Sequence, residues 1–318
     1  MLKPRFACLL ALSLLSPVAL AQDCDRACLD QTLSTYMQAI VANDPSRAPL
    51  ATIYRHTEND IVIPRGEGLW QSVTGLGAIQ RHYLDPVTQN AVFYGILEEG
   101  EEQAVVAVRV HVDKRQITEA EWWVGRKADE GVTGEPGTTL WSADYLTSGN
   151  PPAIRTVPAN ERSTREELIY ITNAYWDMVV NRNPDILAPY AHPGCYREEN
   201  GQPTTGNPLP PERANDAGVN GVSDCRSGTS TFNVINVTAR RWHVVDEEQQ
   251  VVVASALFIR EPGHEKRRNH FCDIFYIDEG KLRGLYTAMY YVDPLRAVPN
   301  WPPYEGNFPL PASFGATK

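Results

Sequence analysis

Two segments of the chain share a helical spacing of apolar residues that ends at a proline. Before Tyr36 and Tyr175, apolar side chains recur every three to four residues, and Asp-Pro or Asn-Pro follows each tyrosine at the eighth and ninth positions. This spacing predicts one amphipathic helix in each half, because a helix face repeats every 3.6 residues and proline removes a backbone donor. Residues 163–166 read as a capping box that starts the second helix.

A similar charged hexapeptide follows each predicted helix. RHTEND occupies residues 55–60 and YREENG residues 196–201, and the two align on a shared Glu-Asn pair. Two interpretations of Glu58-Asn59 stay open: the pair caps a turn, or the glutamate points into a pocket.

Strand patterns rich in Val, Ile, Tyr and Trp follow in both halves, separated by charged turns. They cover residues 91–98, 104–113 and 117–125 in the first half, and 232–246, 251–260, 270–277 and 282–292 in the second. The chain therefore reads as a duplicated α+β unit. Each copy is predicted to be a cone-shaped domain whose helices cover one face of a strongly curved antiparallel sheet.

The same patterns set the domain boundaries. Lys3, Arg5, an apolar run and Ala-Leu-Ala before Gln22 predict a signal peptide over residues 1–21, and hence a secreted or periplasmic protein. The first domain is predicted over 22–126 and the second over 164–295. A linker over 127–163, rich in Gly, Pro, Thr and Asn, is expected to run over the surface, and a Pro-rich tail covers 296–318.

Net charge and hydropathy exclude some classes of binding partner. The net charge of −10 argues against nucleic-acid binding, which needs a basic face, and no later segment is apolar enough to predict stable membrane insertion.

In an oxidising compartment we expect a disulfide between Cys195 and Cys225, whereas the pairing of Cys24 with Cys28 stays open. Cys272 lies in an apolar strand pattern and is expected to be a buried thiol.

Several motifs resemble the SnoaL-like branch of the nuclear transport factor 2-like superfamily. They are CDRACL, RHTEND, GEGLW and ITEAEWW in the first half, and NAYWDMVVNRNPD, CYREENGQPTT, ARRWHVVDEEQQVVV and FYIDEGKLRGLY in the second. The resemblance implies a cone-shaped α+β fold with a deep apolar pocket in each domain. Members of that superfamily include ketosteroid isomerases, dehydratases, polyketide cyclases and carbon–carbon lyases, while many others have no known catalysis.

The denser set of candidate site residues lies in the second half. The predicted catalytic residues are Asp273, His270, Arg260, Tyr286 and Glu199, and the predicted substrate-binding residues are Tyr175, Trp176, Arg197 and Tyr290. A carboxyl in an apolar pocket has a raised pKa and can exchange protons near neutral pH. His270 and Asp273 fall on opposite faces of a regular strand, so a direct pair requires a bulge. The alternative is that the aromatic residues simply build the core.

A second candidate pocket is predicted in the first half, from His56, Glu58, Trp70, His111 and Glu121. Glu119 and Glu121 share one strand face. That face either points into the cone, which makes both carboxylates functional candidates, or is solvated.

The sequence lacks the motifs that indicate nucleotide binding, serine hydrolysis or a zinc site. Gly66-x-Gly68 and Gly75-x-Gly77 are not followed by a dinucleotide fingerprint, and no Gly-x-Ser-x-Gly elbow is present. His264 and His270 lack nearby cysteines that would complete a zinc site. We therefore expect no cofactor and no metal.

The function predicted from the sequence is cofactor-independent acid–base chemistry on a hydrophobic, aromatic small molecule, by a lyase, dehydratase or isomerase. The alternative is a noncatalytic protein that binds a small molecule or uses one domain as a dimerisation scaffold, and a homodimer is possible in either case. Two or more inward-facing titratable groups in one pocket would favour the enzyme, whereas aromatic residues alone would favour the binding protein.

Overall fold

The computed structural model describes residues 23–149, 151–205, 224–226, 233–261, 268–293 and 301. The predicted signal peptide and most of the predicted tail lie outside these residues. The described chain forms two six-stranded sheets, each preceded by a helix, which makes the protein α+β with two tandem cone-like domains.

The first half contains helices α1 and α2 and strands β1 to β6. In chain order the elements are α1 (Arg26–Val41), β1 (Leu50–Glu58), β2 (Ile61–Val62), α2 (Leu69–Ser72), β3 (Gly75–Asp85), β4 (Asn90–Glu99), β5 (Glu102–Asp113) and β6 (Gln116–Arg126). Helix α1 begins where the Asp25 side chain accepts a hydrogen bond from Cys28 N. A one-turn 3₁₀ segment that starts at Pro45 follows it.

The second half repeats the strand order of the first after a linker that holds α3 (Ala143–Ser148). Its elements are α4 (Arg165–Asn181), β7 (Ala191–Glu199), β8 (Gln202–Pro203), β9 (Val234–Asp246), β10 (Val251–Arg260), β11 (Arg268–Asp278) and β12 (Lys281–Val292). The capping box of α4 uses Thr164 and Glu167, one residue later than predicted. In both sheets the neighbouring strands are antiparallel except for one parallel pair, β1 with β6 and β7 with β12. The sheets are therefore mixed rather than antiparallel.

The asparagine of the repeated Glu-Asn pair has the same structural role in both halves. Asn59 and Asn200 share a left-handed backbone with φ of 47°. The Asn59 side chain accepts from Val124 N at 2.8 Å and donates to its carbonyl oxygen at 2.9 Å. Asn200 makes the same two bonds to Met289. Each asparagine thus fixes the turn after β1 or β7 to the last strand of its half, and Glu58 and Glu199 occupy equivalent places.

The two sheets pack against each other through the faces that do not contact α1 or α4. A shared apolar cluster joins Tyr94 and Trp123 of the first half to Cys272, Ile274 and Tyr286 of the second. Strand β4 is buried on both faces as a result. This explains why its sequence is almost continuously apolar rather than alternating.

Two reciprocal ion pairs hold the halves together at the helix starts. Arg26, the first residue of α1, makes a bidentate pair with Asp246 at the end of β9, with both distances 2.8 Å. Arg165, the first residue of α4, makes a bidentate pair with Asp85 at the end of β3, at 3.0 and 2.6 Å. In each half, the first residue of the helix therefore binds the aspartate that ends the equivalent strand of the other half, β9 or β3.

The linker differs from the prediction. It contains α3, and both Leu146 and Val157 are buried, because the linker packs against the two sheets rather than running over the surface.

The predicted Cys195–Cys225 disulfide is confirmed, Cys24 and Cys28 are also bonded, and Cys272 is a buried thiol. Disulfides are typical of exported proteins. Among the described residues no helix is long and apolar enough to cross a membrane.

Candidate functional site

A small pocket in the second half lies between α4 and the curved sheet. Its cavity volume is about 20 Å³, which is room for one or two water molecules. Its walls combine apolar side chains with several titratable ones: Tyr175, Arg197, Glu199, Phe258, Asn269, Phe271, Asp273, Leu285, Thr287 and Met289.

Asp273 is the buried carboxylate of this pocket. It alternates with Phe271 and Phe275 on the face of β11 that points toward α4. Its Oδ1 accepts a hydrogen bond from the Thr287 hydroxyl at 2.7 Å, and its Oδ2 accepts one from Trp176 Nε1 at 3.1 Å. Burial raises the pKa of Asp273 to about 7, although both hydrogen bonds act to lower it. Asp273 is therefore poised to exchange a proton near neutral pH.

Arg197 supplies the buried positive charge beside Asp273. Its Nε donates to Thr204 Oγ1 at 2.9 Å, and its Nη1 lies 3.4 Å from the Tyr175 hydroxyl. Glu199, two residues along β7, has a carboxylate oxygen 4.0 Å from Arg197 Nε and is partly exposed at the pocket. A guanidinium fixed in this way can stabilise an oxyanion that develops on a ligand.

Three predicted site residues lie on the opposite face of the sheet. His270, Tyr286 and Tyr290 point toward the first half, because β11 stays regular between His270 and Asp273. The His270 Nδ1 atom lies 2.7 Å from the Tyr290 hydroxyl, and Trp123 Nε1 donates to His270 Nε2 at 3.4 Å. The structure therefore brings Tyr175, Trp176, Arg197, Glu199 and Asp273 together, but not His270, Tyr286 or Tyr290. Arg260 sits beside the pocket, bonded to Asn269.

The equivalent interior of the first half has different chemistry. Tyr36 corresponds to Tyr175 in the helix, and the β5–β6 register places Val108 opposite Trp122, where the second half has Asp273 opposite Thr287. The first half thus lacks the buried aspartate.

The carboxylate of Glu58 is already engaged in this first-half interior. Its Oε1 accepts from Leu69 N at 2.9 Å at the start of α2, so the capping interpretation is correct for Glu58 too. Burial raises the pKa of Glu58 to about 7 and lowers the pKa of His56 to about 4. Trp70 packs edge to face on Tyr36.

Glu119, Glu121 and His111 do not join that interior. Glu119 and Glu121 share a strand face as predicted, and that face points away from the interior of the cone. Glu121 packs against the second half, whereas Glu119 stays partly exposed. Glu121 is 2% exposed and makes a bidentate pair with Arg241 at 2.8 and 2.6 Å. Glu119 pairs with Arg109 at 2.7 Å. His111 is half-buried on β5.

One group of described residues has donor atoms close enough for a metal ion: Asp60, Glu121 and His270. Those donors are engaged, because Arg241 holds both Glu121 oxygens, and His270 Nε2 accepts from Trp123 while its Nδ1 contacts Asp60 and Tyr290. Two guanidinium groups near Glu121 also oppose a cation. The arrangement fits an ion-paired interface better than a metal site.

Sequence reasoning missed Thr287 and Thr204, which orient Asp273 and Arg197. A regular hairpin around Asp278 and Lys281 would place Asp273 opposite Tyr286. An irregularity between Tyr276 and Ile277 shifts the register so that Asp273 faces Thr287 instead. The sequence carries no clear signal for that shift.

Comparison with known proteins adds little to this geometry. Residues 161–289 match a family model described as a domain of unknown function, DUF8021, which spans the second half and its pocket. No curated protein matches the chain. A solved structure from Kribbella flavida DSM 17836, described as a candidate ketosteroid isomerase, is 12% identical and covers 47% of this chain and 93% of its own. Its TM-score of 0.26 is too low to support an argument about fold or function.

Proposed function

We propose that the protein is an exported, cofactor-independent enzyme that performs acid–base chemistry on a hydrophobic small molecule in the second half. The observation that carries this proposal is the buried Asp273 carboxylate in a pocket that also presents Arg197, Glu199 and Tyr175. Several titratable groups facing one pocket favour catalysis over simple binding.

Each polar group has a defined part in the proposed chemistry. Asp273 takes a proton from the substrate or returns one to it, since its pKa of about 7 balances the two protonation states at neutral pH. Arg197 stabilises the negative charge that develops on the substrate oxygen. Proton abstraction followed by reprotonation gives an isomerase, and loss of a leaving group gives a lyase or dehydratase.

The pocket walls support an aromatic substrate. Phe258, Phe271, Leu285 and Met289 surround the polar groups and favour an aromatic or polycyclic ligand. Because the cavity volume is only about 20 Å³, such a ligand can enter only when wall side chains move. Phe258 is partly exposed and packs edge to face on Phe271, so its rotation would widen the pocket.

The proposal is tested with a panel of aromatic dimers and polyketide-like compounds. The protein is first dialysed against a chelator, then incubated with each compound and analysed by mass spectrometry. We expect turnover of at least one compound without added metal, because no step uses a metal. Turnover that disappears on dialysis and returns with one added metal would contradict the proposal, as would tight binding of compounds without any conversion.

A further inference from the structure

A carboxyl group that the proposed chemistry does not use is buried between the two halves. Glu198 on β7 is fully buried, and its neighbours Arg197 and Glu199 line the pocket. Because side chains alternate along a strand, Glu198 points to the opposite face of the sheet, toward the first half. On that side Tyr94, on β4 of the first half, faces its carboxyl group. Glu198 therefore lies at the contact between the halves and outside the pocket.

Tyrosine side chains surround the Glu198 carboxyl. The Tyr196 hydroxyl donates to Glu198 Oε2 at 2.9 Å, whereas Glu198 Oε1 is buried without a hydrogen-bond partner among the described residues. The ring of Tyr286, on β12, lies 5.8 Å from the Tyr196 ring and 6.5 Å from the Tyr94 ring, centre to centre. We call Glu198, Tyr94, Tyr196 and Tyr286 the Glu198 cluster.

No cation balances a negative charge on Glu198. Among the described residues it has no ion pair. Arg81 acts on the Tyr286 hydroxyl, but its Nε donates to Pro152 O at 2.9 Å and it is not among the groups that stabilise the Glu198 carboxylate. The titratable groups that border the cluster are Arg81 and Tyr83 on β3, Tyr145 on α3 and Tyr276 on β11.

The buried carboxyl is therefore stable only in its neutral form. A carboxylate taken out of water without a cation is costly, so burial favours the protonated group. Burial raises the pKa of Glu198 to about 8, although the Tyr196 and Tyr94 hydroxyls act to lower it.

We propose that Glu198 makes the contact between the two halves sensitive to pH. When its carboxyl is protonated, Glu198 stays buried among the tyrosines, and β7 packs against β4. When the carboxyl ionises, only water can solvate it, so the contact between β7 and β4 must open to admit water. A rise in pH above neutral thus shifts the population from the packed to the open arrangement.

The same change acts on the pocket. Arg197 and Glu199 share β7 with Glu198, and the ladder between β7 and β12 pairs Glu199 with Thr287, which donates to Asp273. Loosening of β7 displaces the pocket guanidinium and carboxylate relative to Asp273. This consequence rests on the proposed function, whereas the pH sensitivity of the contact does not.

The raised pKa fixes the sign of the effect on stability. Glu198 has a pKa of about 8 in the folded chain and about 4.5, the ordinary glutamate value, in the unfolded chain. Its stabilising effect is therefore complete below pH 4.5 and is lost as the pH rises to about 8. Within that window, each pH unit should lower the folding equilibrium constant of the wild type about tenfold more than that of Glu198→Gln.

Urea unfolding of the full chain across this pH window tests the proposal. Glutamine keeps the size of the side chain, and its carbonyl can accept the bond from Tyr196. Asp273 and Glu58 titrate in both proteins, so the difference between the two pH profiles isolates Glu198. Glu101→Gln, exposed in the β4–β5 turn, is the control and should keep the wild-type profile. Identical profiles for the wild type and Glu198→Gln would overturn the proposal.

Hydrogen exchange of the wild type tests the location of the change and needs no variant. After correction for the intrinsic pH dependence of exchange, protection in β4 and β7 should fall severalfold between mildly acidic and alkaline pH. Helix α1, on the other face of the first sheet, should keep its protection. Unchanged protection in β4 and β7, or an equal fall in α1, would contradict the proposal. Because no substrate is used, either result would leave the proposed function standing.

Discussion

Replacing Asp273 with asparagine is expected to lower turnover by roughly a hundredfold or more, the usual contribution of a general acid or base. Asparagine keeps the size of the side chain, and its amide can accept from Trp176 and donate to Thr287, so both hydrogen bonds have a replacement. The variant should therefore fold normally and lose only proton transfer. The measurement is kcat on a compound converted in the panel, with folding checked by circular dichroism.

The matched control is Glu58→Gln in the first half. Glu58 and Glu199 occupy equivalent places, but Glu58 accepts a hydrogen bond from Leu69 N. The side-chain carbonyl of a glutamine can accept the same bond. We expect Glu58→Gln to stay within a few-fold of the wild-type turnover and Glu199→Gln to lie between the two. If Glu58→Gln abolishes activity while Asp273→Asn is nearly silent, the active pocket is in the first half.

Breaking one reciprocal ion pair is expected to have the largest effect on stability. Asp85→Ala removes the bidentate partner of Arg165 and the acceptor of Val245 N. The Arg165 guanidinium then has no carboxylate to balance its charge, and a buried backbone donor has no acceptor. Removal of one member of a buried pair typically costs about 3–5 kcal/mol. The measurement is the free energy of unfolding in urea.

Two further variants make this prediction specific. Asp246→Ala should destabilise the protein to a similar extent, because Asp246 binds Arg26 and Leu84 N in the same way. Glu279→Ala removes an exposed ion pair with Arg283 at the β11–β12 hairpin. It should lower the free energy of unfolding by less than about 1 kcal/mol. Equal small effects for all three substitutions would mean that the halves are held by apolar packing alone.

The duplicated fold could be predicted because its signals are local. The strands with long β-branched runs, such as β5 and β10, match the prediction closely, since their side chains are buried on both faces. Strand β3 was missed because Gly75 and Gly77 indicate a loop, whereas in the sheet Gly77 lets the strand approach the Ile96 side chain closely. Strand β1 was missed because Arg55, His56 and Glu58 interrupt its apolar residues and its burial does not alternate regularly along the strand.

The candidate site could be predicted only in part. Asp273 stood out as a carboxylate in an apolar strand, and Arg197 and Glu199 as charges in the repeated hexapeptide. His270, Tyr286 and Tyr290 were grouped with them because both faces of β11 and β12 carry aromatic or polar residues. Which face looks into the cone depends on how the two halves pack, and that is a long-range property.

Titration of the Asp273 carboxyl tests the central claim most directly and needs no substrate. The carboxyl carbons of aspartate are labelled with ¹³C in the full chain, and the Asp273 signal is assigned by its loss in Asp273→Asn. Burial among Trp176 and the apolar pocket walls predicts a titration midpoint near pH 7, in line with a pKa of about 7. A midpoint near the ordinary aspartate value of about 4 would contradict the account, because Asp273 would then be ionised throughout the neutral range and could not donate a proton.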